Sequence, residues 1–143
     1  MTQNLPKAVI DTSVFVAAFL SNNSSSASSL VLDAWKQELF ILVISPQLLQ
    51  ELVAVLLRRG IILSEIQKLV TLIAKISIFI PGVYEATRLD NIEPKDNMFL
   101  AAAYESKADY LVTLDTQHLL PLKYYHGTQI LTPSLFMLRI SPS

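Results

Sequence analysis

No cysteine occurs among the 143 residues. That absence excludes disulfides, thiolate zinc sites and cysteine nucleophiles, and it fits a cytoplasmic protein. Nor is there an excess of positive charge: the formal net charge is −1. A general electrostatic binder of nucleic acid is basic, so any such activity here has to rest on local positive charge or on a bound cation. No apolar run approaches the ~20 residues of a membrane span; the longest clean stretch, LFILVI at 39–44, is strand-sized. The opening MTQNLPK is too polar for a secretory leader. No repeat or linker interrupts the chain. The two histidines, His118 and His126, are not spaced as a metal-ligand pair. His118 is expected on a helix after Asp115 and His126 in a turn before Gly127, both at the surface. The default expectation is then a soluble cytoplasmic protein with no membrane partner.

What is present is material for a core. Apolar residues make up 52% of the chain and charged residues 16%, which suits one domain over residues 1–143. KAVID (7–11) reads as a first strand and ELFILVIS (38–45) as a second, its unbroken apolar run suiting a strand covered on both faces. ISIFIP (76–81), DYLVT (109–113) and TQIL (128–131) read as three more. Between them lie helical patterns. One follows the low-complexity SNNSSSASS (21–29), with Leu30, Val31, Ala34 and Trp35 on its apolar face. Another begins at Ser45-Pro46, a capping hydroxyl followed by proline at the first helical position, and ends at Gly60. A third is capped by Ser64, a fourth spans 96–108, and a last follows Thr132-Pro133. Residues 88–95, RLDNIEPK, read as a loop. Strands alternating with helices predict an α/β domain around a parallel sheet.

Residues 8–15, AVIDTSVF, pose the functional question. An apolar strand ends in Asp11, and an unpartnered carboxylate in such a place is costly. Most of the twelve acidic residues sit among polar neighbours and read as surface; Asp33, Glu38, Glu65, Glu85 and Glu105 are of this kind. Four differ. Asp11 and Asp115 each follow the carboxyl end of a strand, where open α/β sheets bind ligands. Asp96 starts a helix but lies over Leu100 and Ala103, on its apolar side. Glu51 is too deep in its helix to cap it and borders the Leu48/Leu52/Val55 face. Taken singly, Asp11, Asp96 and Asp115 read as helix caps and Glu51 as an exposed glutamate. Taken together they do not. Two carboxylates about 5 Å apart at an effective dielectric of about 20 repel by roughly 3 kcal/mol, so a cluster of four must be partly protonated or hold a cation. Oxygen ligands point to Mg²⁺ or Mn²⁺ and away from zinc.

The blocks IDTSVF, SPQLLQELVAVLLR, PKDNMFLAAAYESKADYLVTLD and ILTPSLF, in that order, resemble the PIN-domain ribonucleases, nearest the VapC-like toxins of type II toxin–antitoxin pairs. The resemblance runs from about Lys7 to Met137. It implies a three-layer α/β/α sandwich around a short central parallel sheet, and metal-dependent hydrolysis of RNA phosphodiester bonds. Carried over by position, the catalytic and metal-binding acids are Asp11, Glu51, Asp96 and Asp115, holding one or two Mg²⁺ or Mn²⁺ ions. Ser13 and Thr113 support them or meet the substrate. Ser13 stands where the family often has Asn, Leu114 where this branch commonly has Gly, and Glu93 where an Asp is frequent. Arg88, Lys95 and Lys107 are candidates for contacts to RNA phosphates. The implied partners are RNA, a small antitoxin protein and a second copy of the chain.

Three other readings compete. A haloacid-dehalogenase-like phosphatase needs a second Asp at position 13, which is Ser. A phospho-acceptor receiver needs an acid after a middle strand, where Ser45 stands. A PIN-like module that has lost cleavage and acts by binding a protein or RNA partner remains the alternative to the enzyme.

Overall fold

The computed structural model describes residues 4–141; the start of the MTQNLPK segment, residues 1–3, lies outside them. In chain order the elements are β1 (Lys7–Ile10), α1 (Thr12–Leu20), α2 (Ala27–Lys36), β2 (Ile41–Ile44), α3 (Pro46–Arg58), α4 (Leu63–Ile76), β3 (Ser77–Phe79), α5 (Asn97–Ser106), β4 (Tyr110–Val112), β5 (Tyr124–Tyr125), β6 (Thr128–Leu131) and α6 (Pro133–Ile140). The six strands form one sheet in the order β3-β2-β1-β4-β6-β5. Every pairing is parallel except the short β5–β6 hairpin.

Helices cover both faces, giving the expected α/β/α sandwich. α5 packs against β1, β2 and β4, α4 against β2 and β3, and α6 against β4 and α2; α1 joins α2 to α3. The central strands show the consequence: Ala8, Val9 and Ile10 of β1 and Leu42, Val43 and Ile44 of β2 are all buried, without alternation. A strand sandwiched between helix layers has no solvent face to be polar on.

Several boundaries depart from the sequence reading, each for a local reason. Residues 38–40 do not begin β2. Glu38 takes a φ of +57°, and Glu38 and Leu39 donate their N–H groups to Trp35 and Ala34, so this stretch closes α2 instead. α4 is not capped by Ser64: it begins at Leu63 after Ile62, with no side-chain cap bond. The helix expected over 96–108 spans Asn97–Ser106 and ends on Lys107 in the left-handed region. Ser45 and Thr132 cap α3 and α6 as expected, accepting the N–H groups of Leu48 and Leu135.

Glu105 is not a free surface acid. Its carboxylate accepts the N–H groups of Gly82, Val83 and Tyr84 at 3.1, 2.8 and 3.0 Å, tying the connection after β3 to α5. Gly82 has a φ of +73°, and a Cβ there would run into the Gln47 side chain, so this turn requires glycine. Further along the same connection, buried Asn97 accepts from the Leu89 N–H and donates to Asp90. Two side chains of α5 thus hold the long segment that leads to Asp96.

The sheet reverses its direction of growth between β1 and β4. β2 and β3 were added on one side of β1, and β4, β6 and β5 on the other. In open parallel sheets the crevice beyond the carboxyl ends at such a reversal is the ligand site. β1 and β4 are paired with Ile10 opposite Val112, so the residues that follow both strands emerge side by side.

Candidate active site

Asp11 follows β1 and is the N-cap of α1, its Oδ1 accepting the Ser13 N–H at 3.4 Å. The capping reading is therefore correct, but it accounts for only one of the two oxygens. Oδ2 accepts from the Thr113 hydroxyl at 2.6 Å and from the Ser13 hydroxyl at 3.0 Å. Each hydroxyl is directed from behind: Thr113 Oγ1 accepts the Asp115 N–H at 2.9 Å, and Ser13 Oγ accepts the Leu114 N–H at 3.3 Å. A hydroxyl has one hydrogen, so accepting from a backbone amide leaves that hydrogen for the carboxylate. Ser13 and Thr113 thus hold Asp11. Burial pushes the Asp11 pKa above its ordinary value, and the two hydroxyls pull part of the way back.

Asp115 is held differently. Its two oxygens accept the N–H groups of Gln117, His118 and Leu119 at 3.0, 3.2 and 3.1 Å. Burial acts to raise its pKa, but these three amides, with His118 nearby, leave it below the ordinary carboxylate value. The carboxylate closes a turn, so His118 lies in that turn and not on the expected helix. Leu114, where glycine was expected, is outside the left-handed region and its side chain is exposed. The junction therefore accommodates a side chain.

Asp96 makes no cap bond to the helix it precedes. It ends a short 3₁₀ turn, Pro94–Asp96, and its side chain is only 22% exposed. Burial and the charges of Asp11, Asp115 and Glu93 push its pKa up to about 7. Glu93 belongs to the site only through that charge. One oxygen of Asp96, one of Asp115 and one ring nitrogen of His118 lie within 4.8 Å of one another. The His118 Nδ1 is 3.7 Å from Asp96 Oδ2 and 3.6 Å from Asp115 Oδ2. The surface reading of His118 is thus corrected. Its position three residues after Asp115 was the available signal.

Glu51, on α3, lines a cleft of about 460 Å³ together with Asp11 and Asp96. Asp115 and His118 flank Asp96 and are not among the residues lining that cleft. The four expected acids therefore fall into two overlapping sets: Asp11, Glu51 and Asp96 face the cleft, and Asp96 and Asp115 form the tight cluster with His118. Asp96 is common to both. Arg88, Lys95 and Lys107 are exposed and line no part of the cleft, whereas Arg59, which the sequence did not single out, does.

The donor set suits a divalent cation. Half-buried Asp96 repels Asp11 and Asp115 and lacks a backbone donor, so it is costly when ionised and stabilised by added positive charge. Carboxylate oxygens select hard ions, and one imidazole beside them is compatible with Mn²⁺.

The pH response of the metal-free protein follows. Between about pH 4 and pH 7 folded Asp96 keeps a proton that the unfolded chain has released, so stability falls as pH rises through this window. Asp11 acts in the same direction; Asp115 acts oppositely, and only at lower pH. With solvent screening the Asp96 contribution is about 1–2 kcal/mol. Thermal unfolding in chelator should show a melting temperature several degrees higher at pH 5 than at pH 8, with the difference reduced in Asp96→Asn. A wild-type melting temperature that climbs over this range would contradict the assignment.

A family model described as PIN domain matches residues 7–117. Among curated proteins, none matches the chain. The matched span includes Asp11, Glu51, Asp96 and Asp115 and stops one residue short of His118.

Proposed function

Because the chain belongs to the PIN-domain family, whose members are generally nucleases, we propose that it is a Mg²⁺- or Mn²⁺-dependent ribonuclease hydrolysing RNA phosphodiester bonds. The observation that carries the reading is Asp96: a half-buried carboxylate without a cap bond, pushed up to about 7 by burial and three other acids. Nothing in the fold requires an acid there, and a cation removes its cost.

Asp96 and Asp115, with His118 beside them, are the groups that would hold the cation. When bound, it offsets the negative charge that builds on a phosphoryl group and makes a water molecule more acidic. Asp11 is fixed by Thr113 and Ser13 with one oxygen already bridged, so it orients without swinging. Glu51 faces the same cleft and is placed to align the attacking water or take its proton. The chain needs no covalent nucleophile.

The expected result is cleavage of total cellular RNA by the purified protein with Mn²⁺ or Mg²⁺, stopped by chelator and restored by metal. Cleavage that resists chelator, or none from metal-supplemented protein, contradicts the reading. Association with a protein partner regardless of metal, with no cleavage, instead favours the inactive binding module.

The resemblance of the four sequence blocks to VapC-like toxins supports a cellular setting as the toxin of a toxin–antitoxin pair, with a small antitoxin and a second copy of the chain as partners. That setting predicts growth arrest on induced expression, relieved by Asp96→Asn. Among the described residues no helix is long and apolar enough to cross a membrane.

A further inference from the structure

The cleft that Asp11, Glu51 and Asp96 share continues past them between two helices. Glu51 and Val55 on α3, and Arg59 at its C-cap, line it at steps of four residues, a stripe along one side of the helix. On α1, Ser13, Val16, Ala17 and Leu20 form the facing wall. The groove therefore has acids at one end, apolar walls along its length and a guanidinium at the far end. Arg59 has no ion-pair partner among the described residues. From Glu51 to Arg59 is eight residues, about 12 Å of helix rise.

We infer that this α1–α3 groove is the track of an extended single strand of RNA, with Arg59 binding a phosphate that flanks the one at the acids. The inference rests on the nuclease reading and adds to it the strand's path and a phosphate anchor. The charge pattern fits a polyanion held at two separated points: through a cation at the acids, and directly at Arg59. Guanidinium is suited to the second task because its planar fork meets two phosphate oxygens at once. A cleft of about 460 Å³ is in the range that encloses one small ligand. Its length along α3 suits an unpaired strand laid in it. Val16, Ala17, Leu20 and Val55 offer no hydrogen bonds to base edges. Arg59 thus fixes the backbone, and this part of the groove is tolerant of base identity.

The test is equilibrium binding of a fluorescent six-nucleotide single-stranded RNA, with Ca²⁺ in place of Mg²⁺ to limit turnover, over a range of salt. Wild type is compared with Arg59→Gln, Arg59→Lys and Lys75→Gln; Lys75 lies on α4 away from the groove and matches the change in charge. Cleavage of the same RNA with Mn²⁺ is measured in parallel. Arg59→Gln should weaken binding about tenfold. It should also reduce the slope of log affinity against log salt by about 0.7, one phosphate contact on a single strand. Arg59→Lys should keep the slope, and Lys75→Gln should match wild type. If wild type binds and cleaves but Arg59→Gln behaves as Lys75→Gln does, the groove assignment is overturned and the nuclease reading stands. If wild type neither binds nor cleaves RNA, both fall.

Discussion

Asp96→Asn is expected to lower metal-dependent RNA cleavage by about 10²–10³-fold, the loss typical when one preorganised electrostatic group is removed from an active site. The same substitution should leave the metal-free protein at pH 8 at least as stable as wild type. That combination is unusual, because most polar substitutions in half-buried positions destabilise. It arises because Asp96 contributes no cap bond and its charge is opposed by Asp11, Asp115 and Glu93. Asparagine keeps the shape and removes the repulsion. Added Mn²⁺ should raise the melting temperature of wild type and have little effect on the variant. Full activity in Asp96→Asn would remove the main support for the catalytic assignment. A large loss of metal-free stability would show that the acid has a structural duty its geometry does not reveal.

Thr113→Val should act through Asp11. Thr113 is fully buried, donates to Asp11 at 2.6 Å and accepts the Asp115 N–H at 2.9 Å. Valine fills the space but leaves Asp11 Oδ2 with the Ser13 hydroxyl alone and the part-buried Asp115 amide without its partner, at about 1–3 kcal/mol of stability. The supporting hydroxyl also sets where the second Asp11 oxygen points. Losses of 10–100-fold in metal affinity or activity are usual when such an outer partner is removed. Thr113→Ser, which keeps the hydroxyl, should recover most of the activity. Recovery of stability without recovery of metal response would assign Thr113 to folding alone.

The legible parts of this molecule were those where one residue pattern carries one physical meaning. Ser45-Pro46 and Thr132-Pro133 each place a capping hydroxyl before a proline that needs no hydrogen-bond donor, and both helices start there. The unbroken apolar run of β2 pointed to a two-sided cover. The α1 segment TSVFVAAFL is apolar on every side, so no stripe marked its bounds. β5 is two residues long, below what periodicity can register. Asp11 was legible because a buried strand rarely ends in an acid. His118 was not, because its position depends on Asp115 folding back to accept three consecutive amides. Arg59 was hidden for a similar reason: it looked like the end of a helix, and only the packing of α1 beside α3 turns that end into the wall of a groove.

Asp11 and Thr113 are 102 residues apart in the chain, and the contact between them forms only when β4 pairs with β1. A loop of that size closes late and slowly compared with local helices. During synthesis, most of the polypeptide must have left the ribosome before the two strands can meet. The nascent chain therefore emerges without an assembled cluster of acids, which comes together only after β4 has been made and has paired with β1.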